Sequence, residues 1–287
     1  MTMKIRHKNR KQENFPVGMM IFDRSKRQLV FDYYRFARYA DDVADDPKLK
    51  PQRKVEQLYQ LEDIFLNNKP YKGQKFRFVR ELRQKFAEFG LSTSLATDLL
   101  IAFRKDAMGF EYQTWGQLVD YCKYSAAPVG RFMLAVHDEN PSTYLPAASL
   151  CVALQIVNHI QDLKYDAELL GRIYLPSELT EKYHIMPEDL RADKSSPGLK
   201  KAIEKIMEKT RGLIKEGEIL PQIIRSASLR AEVCIILSLT NIMVKKILKG
   251  DVLAKEIKLS AWNWLCGVTG GLIRSLFCKK KTLSEHK

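Results

Sequence analysis

Cysteine is scarce in this 287-residue chain: Cys122, Cys151, Cys234, Cys266 and Cys278 are odd in number, widely spaced and never form a CxxC pair. That pattern fits neither a disulfide framework nor a zinc site, and a reducing, cytoplasmic setting is expected. Long apolar runs are missing too. No stretch of about 18 uninterrupted apolar residues marks a membrane span, and no basic, apolar and small-residue succession marks a secretory signal. With only 14 Gly and 11 Pro, and no linker-like stretch between the halves, a single large domain is expected. The histidines His7, His137, His159, His184 and His286 are scattered, and HExxH, GxSxG and GxGxxG patterns are all absent. Zinc hydrolase, serine hydrolase and dinucleotide-binding readings fall away.

Positive charge is plentiful. Lys and Arg number 48 against 34 Asp and Glu, a formal net charge of +14, which points to an anionic partner. Lys4, Arg6, Lys8, Arg10 and Lys11 open the chain without an acid, and Lys279, Lys280 and Lys281 follow its last apolar stretch. No aromatic-interleaved basic platform accompanies them, so nucleic acid is set aside, while solvated tails and an anionic membrane surface both fit.

Helical periodicity dominates. In residues 28–45, Leu29, Tyr33, Phe36, Ala37, Ala40, Val43 and Ala44 recur at three- and four-residue spacing, the stripe of a helix packed on a core. Similar stripes cover 52–67, 74–89, 92–111, 115–137, 143–169, 198–217 and 228–249, and no alternation marks a strand, so the chain reads as all-α. Thr114 and Gln117 have capping-box spacing. Pro128 and Gly130 predict a bend or break in the helix they share, and residues 172–176 read as an ordered loop. Residues 259–278 carry Trp262, Trp264, Leu265, Leu272, Ile273, Leu276 and Phe277 with Arg274 as the lone charge. Gly267, Gly270 and Gly271 weaken it as an isolated helix, leaving a membrane interface and docking on the core as open alternatives.

Two segments put carboxylates four residues apart: Asp41 and Asp45 within residues 38–46, and Asp162 and Asp166 within 158–166, with Asn158 one turn before Asp162. Like charges at that spacing disfavour a helix, and with 34 acids a few such pairs arise by chance on solvated surface. Here, however, Phe36, Ala40 and Val43 surround the first pair and Leu154, Val157, Ile160 and Leu163 the second. Carboxylates in apolar surroundings are costly unless a cation accompanies them. Oxygen ligands without His or Cys select a hard ion, and magnesium, which bridges carboxylates to phosphate oxygens, suits a diphosphate site.

The residues themselves carry a resemblance. Tyr33-Tyr-Arg-Phe-Ala-Arg-Tyr-Ala-Asp-Asp-Val-Ala-Asp45, the Asn158-xx-Gln161-Asp-xxx-Asp166 segment with Gly171-Arg-Ile-Tyr-Leu-Pro176, and Tyr121-Cys-Lys-Tyr-Ser-Ala-Ala-Pro-Val-Gly130 resemble, in order, the motifs of the squalene/phytoene synthase family. The likeness spans about residues 13 to 180. Glu13-Asn-Phe-Pro-Val17 and residues 125–130 further resemble the family's bacterial hopanoid branch, which makes hydroxysqualene from presqualene diphosphate; Ala127 departs from the Asn often found there.

That resemblance implies a single-domain isoprenoid synthase bundle around a central cavity over residues 13–255, between a basic tail at 1–12 and an amphipathic segment at 256–287. It implies that Asp41, Asp42, Asp45, Asn158, Asp162 and Asp166 hold Mg2+, and that Arg38, Arg172 and Lys164 meet the leaving diphosphate. It further implies that Tyr121 and Tyr174 shape the pocket for the rearranging cation, with Tyr33, Gln161, Val129 and Gly130 also meeting the substrate. A prenyl diphosphate is the expected substrate and the inner face of the cell membrane the expected peripheral site. Condensation of farnesyl diphosphate to presqualene diphosphate or squalene, phytoene formation, and a non-catalytic membrane-assembly role remain the alternatives.

Overall fold

The computed structural model describes residues 24–67 and 76–278; the opening basic segment, residues 13–17 and Lys279 to Lys281 lie outside them. The chain forms α1 (Arg24–Asp45), α2 (Pro51–Asn67), α3 (Arg77–Glu88), α4 (Ser94–Ala107), α5 (Trp115–Ser125), α6 (Ala127–Val136) and α7 (Tyr144–Gln161). Then follow α8 (Leu163–Tyr165), α9 (Ser177–Lys182), α10 (Pro197–Gly217), α11 (Leu220–Ile223), α12 (Ala227–Lys249) and α13 (Ala261–Phe277). No strand occurs among the described residues.

The predicted stripe of α1 is the one that is buried: Leu29, Tyr33, Phe36, Ala40, Val43 and Ala44 face inward. With Leu58, Leu61, Ile64 and Phe65 of α2, Val79, Leu82 and Phe86 of α3, Leu99 and Leu100 of α4 and Phe132 of α6 they make one core. Each such Leu or Phe contributes about 1.5–3 kcal/mol on burial. A second core surrounds α7, whose Leu150, Ala153, Ile156, Val157 and Ile160 pack among residues of α5, α10 and α12. The stretch Pro141–Gln161 is long and apolar enough to cross a membrane by length and composition, and 56% of its apolar window is buried inside the protein.

The predicted 115–137 helix is broken. Ala126 leaves helical geometry at φ −129° and ψ −40°, α5 stops at Ser125, and Pro128 sits in the first turn of α6, where its missing N–H costs nothing. Gly130 serves packing rather than flexibility: a Cβ there would lie 2.5 Å from Cys151 Sγ, so its absence lets α6 settle on α7. The Thr114 cap forms, Gln117 N donating to Thr114 Oγ1 at 3.3 Å. Two short helices, α9 and α11, escaped the periodicity reading because they span only 6 and 4 residues, too few to show a repeat.

The second acidic segment is not one smooth helix. α7 ends at Gln161, Asp162 adopts φ −94° and ψ 9°, and Asp166–Leu170 winds as a π-turn. The carboxylate-bearing residues stay one turn apart, since Asp166 N donates to Asp162 O at 2.8 Å. Gly171, at φ +64°, reverses the chain, a conformation glycine adopts freely. Residues 172–176 then run as the expected loop, with Tyr174 and Leu175 buried.

Candidate active site

The two acidic segments meet through Arg172. Its Nη1 donates to Asp45 Oδ1 at 2.6 Å, its Nη2 to Ala44 O at 2.9 Å and its Nε to Asp106 O at 3.1 Å. One guanidinium emerging just after the π-turn therefore ties the second acidic segment to the C-terminal ends of α1 and α4, where helix dipoles favour a cation. Burial opposes the charge, but Asp106, Tyr174 and Asp45 around it hold the guanidinium protonated. Lys54 also reaches this point, donating to Ala44 O at 2.8 Å.

On α1, Arg38 pairs with Asp41 and with Asp42, both at 3.1 Å. Crowding by surrounding atoms and the neighbouring Asp45 charge push the Asp41 carboxyl up to about 8, against the pull of Arg38. Asp41 still shows 35% of its side-chain surface, so water moderates that rise. A carboxylate held short of positive charge favours an added cation.

Asp106 is the group that sequence reasoning missed. It is buried, and it accepts hydrogen bonds from Tyr121 Oη at 2.8 Å and Tyr174 Oη at 2.9 Å. Burial raises its pKa, while Arg172 and the two phenols oppose the rise. Both phenols are themselves driven far above their ordinary range by burial and by Asp106, and so stay protonated. His159 stacks on Tyr174 with ring centres 3.7 Å apart, and its Nδ1 lies 3.9 Å from Asp166 Oδ2. Tyr112, Tyr121 and Tyr174 pack ring to ring beside it. The only sequence signal for Asp106 was its place on the face of Ala102 and Phe103; Arg104 and Lys105 beside it made it look like a solvated helix end.

Other predicted residues are committed elsewhere. Tyr33 donates to Leu95 O at 2.7 Å and stacks on Phe132 at 3.9 Å, so it belongs to the α1–α4 core rather than to the carboxylates. Val129 packs against that core, and Gly130 serves the α6–α7 contact. Gln161 Nε2 donates to Ile257 O at 2.8 Å, anchoring the segment after α12. Lys164 reaches Ala192 O at 3.0 Å and Asp193 at 3.4 Å, on the loop preceding α10. Two surface clefts, of about 540 and 340 Å³, lie along α3 and beside α13 rather than at the carboxylates.

Fitness for a metal is mixed. Asn158 Oδ1 is buried and finds no hydrogen-bond partner among the described residues, a position that suits an oxygen ligand. No group of three His, Cys, Asp or Glu side chains converges to enclose an ion among those residues. An ion here would therefore need oxygens from a phosphate-bearing ligand or water to complete its shell, as magnesium ordinarily does.

Comparison with known proteins decides the family: the squalene/phytoene synthase model matches residues 8–263. The chain belongs to the squalene/phytoene synthase family. It is 36% identical over 265 residues to a hydroxysqualene synthase of Rhodopseudomonas palustris, covering 92% of this chain and 89% of that protein. A presqualene diphosphate synthase of the same organism is 28% identical over 191 residues, covering 65% of this chain and 67% of that protein. Among solved structures, a dehydrosqualene synthase in complex with ligand superposes with a TM-score of 0.70 at 25% identity, covering 87% of each chain. The fold of this family member is accordingly the all-α isoprenoid synthase bundle.

Proposed function

We propose that the chain converts presqualene diphosphate to hydroxysqualene and diphosphate, with magnesium held by Asp41, Asp42, Asp45, Asn158, Asp162 and Asp166. The observation that carries this reading is the Arg172 bridge, which brings two acidic segments and a buried cation to one place. The choice of reaction within the family is supported by likeness to a hydroxysqualene synthase along nearly the whole chain, against about two thirds for the presqualene diphosphate synthase.

Magnesium, when bound, would neutralise the diphosphate and make it a better leaving group. Arg38 and Arg172 offer charge-assisted donors to the departing oxygens, replacing their present carboxylate partners in part. Tyr121 and Tyr174 remain neutral phenols whose hydroxyls are fixed by Asp106. Their electron-rich rings suit a passing carbocation, which aromatic faces stabilise electrostatically. The phenols hold their protons too tightly to act as bases, so the proton released on water capture goes to another acceptor, for which the departed diphosphate is suited. A thirty-carbon product and a basic chain favour work at the inner face of the cell membrane, peripherally bound.

Feeding the purified protein presqualene diphosphate or farnesyl diphosphate separately, with magnesium and without NADPH, tests the reading by product mass. The expected outcome is an alcohol from presqualene diphosphate and nothing from farnesyl diphosphate. Presqualene diphosphate formed from farnesyl diphosphate would assign the chain to the condensing branch instead.

A further inference from the structure

Helix α13 is apolar on both faces, and the two faces differ in kind. Its inner face is made of glycine: Gly267 and Gly271 are its only buried residues, and a Cβ added to either would stand 2.2 Å from Leu239 Cδ2 or 2.5 Å from Ile235 Cα of α12. Two smooth backbones thus pack closely, and of the larger side chains Trp264 and Val268 join the contact, half-buried against Ile235 and Leu239. The others point away. Trp262 is 70% exposed, Leu265 53%, Ile273 56%, and Leu276 and Phe277 each 81%. Trp262, Leu265, Leu272 and Leu276 fall at helical spacing along one stripe. Scattered exposed apolars need no explanation, but a contiguous row of this length does.

We infer that the outer face of α13 is a membrane-docking surface that lies in the interface of an anionic lipid leaflet. Charge selects lipid over a second copy of the chain. Lys258 and Arg274 pair with Glu256 at 2.7 Å and Glu218 at 3.7 Å, and Lys279, Lys280 and Lys281 follow the helix ahead of Glu285, so the balance around α13 stays basic, a pattern that anionic headgroups attract and an identical copy repels. Length excludes spanning: 17 helical residues reach about 25 Å, short of a bilayer core, and the glycine face is already occupied by α12. A helix with one face docked and the other apolar can bury the free face at headgroup depth. The inference deepens the peripheral association proposed above, and it needs no assumption about which diphosphate the enzyme consumes.

The test is flotation of the full chain with vesicles of phosphatidylcholine containing about 30% phosphatidylglycerol, alongside Leu276→Ser/Phe277→Ser and Leu145→Ser variants. Leu145 is 78% exposed but lies on α7 and is not part of the row, and serves as the control. The double variant is expected to lose at least about tenfold in partitioning with an unchanged thermal melt, Leu145→Ser to bind as wild type, and vesicles to shift Trp emission to the blue. Equal binding by the double variant overturns the inference. So does binding that ignores phosphatidylglycerol, or a solution dimer that the double variant dissolves. Because no substrate is present, failure here leaves the product assay untouched, and the reverse holds.

Discussion

Arg172 Nη1 lies 2.6 Å from Asp45 Oδ1, joining residues 127 positions apart in the chain. The same guanidinium caps the carbonyl of Ala44 and reaches that of Asp106, so the ion pair is geometric as well as electrostatic. Replacing it with a point charge keeps the sign and loses the fork. Arg172→Lys is expected to lower kcat/KM by about 10- to 100-fold and Arg172→Ala by about 100-fold or more. Steady-state diphosphate release measures both. Wild-type rates in Arg172→Ala would remove this residue from the site.

Metal dependence should follow the acids. Asp162→Asn and Asp41→Asn are each expected to cut diphosphate release by about 100-fold or more, and excess EDTA to abolish it in the wild type until magnesium is returned. Full activity in chelator would show that the acids serve another purpose.

Asp106 makes a graded prediction. Tyr121→Phe and Tyr174→Phe each delete one hydrogen bond to it, at about 1 kcal/mol apiece. Asp106→Leu leaves two buried hydroxyls without their acceptor and should cost more than the two phenylalanine variants added together. Chemical denaturation of the three variants checks the order.

The glycines of α13 separate by position. Gly271→Ala forces a methyl against the Ile235 backbone, whereas at Gly270 the nearest obstacle is Ser238 Oγ at 3.5 Å. The first substitution should destabilise by about 1–3 kcal/mol. The second should be neutral or stabilise by up to about 1 kcal/mol, through the better helix propensity of alanine. Equal melts for the two would mean that α13 does not sit on α12 in solution.

Acid should loosen the α12–α13 connection. Burial raises the Asp251 carboxyl, but hydrogen bonds from the Ser195 hydroxyl and amide and from the Leu253 and Ala254 amides outweigh it and hold the group at about 2. The unfolded chain binds that proton near pH 3.9. Stability from Asp251 is therefore complete above about pH 4 and is lost as pH falls toward 2. An Asp251→Asn variant should show a flatter acid limb in thermal melts recorded between those values.

Much of the fold was legible because α1, α7 and α12 are long enough for periodicity to declare their buried faces. The break before α6 followed from Pro128 lacking an amide hydrogen. The acidic pairs stood out because of their apolar neighbours, although Asp41 and Asp42 keep 35% and 43% of their side-chain surface exposed. What escaped was built from single residues whose partners lie far along the chain. Asp106 directly follows two cations, Arg104 and Lys105, on its own helix, and only Tyr121 and Tyr174, 15 and 68 residues later, give it meaning. Lys54 and His159 were hidden in the same way. Tyr33 lies within a recognisable motif, and the structure adds its core partners Leu95 and Phe132, which the sequence did not indicate.

The Arg172 bridge also bears on biogenesis. A polypeptide growing on the ribosome presents Asp41 and Asp45 long before the arginine that completes their surroundings has been synthesised, because 127 residues separate the bonded partners. Nascent fragments up to residue 171 lack that arginine and with it the completed centre. On the proposed reaction, unfinished or truncated chains would lack the guanidinium that meets the leaving diphosphate.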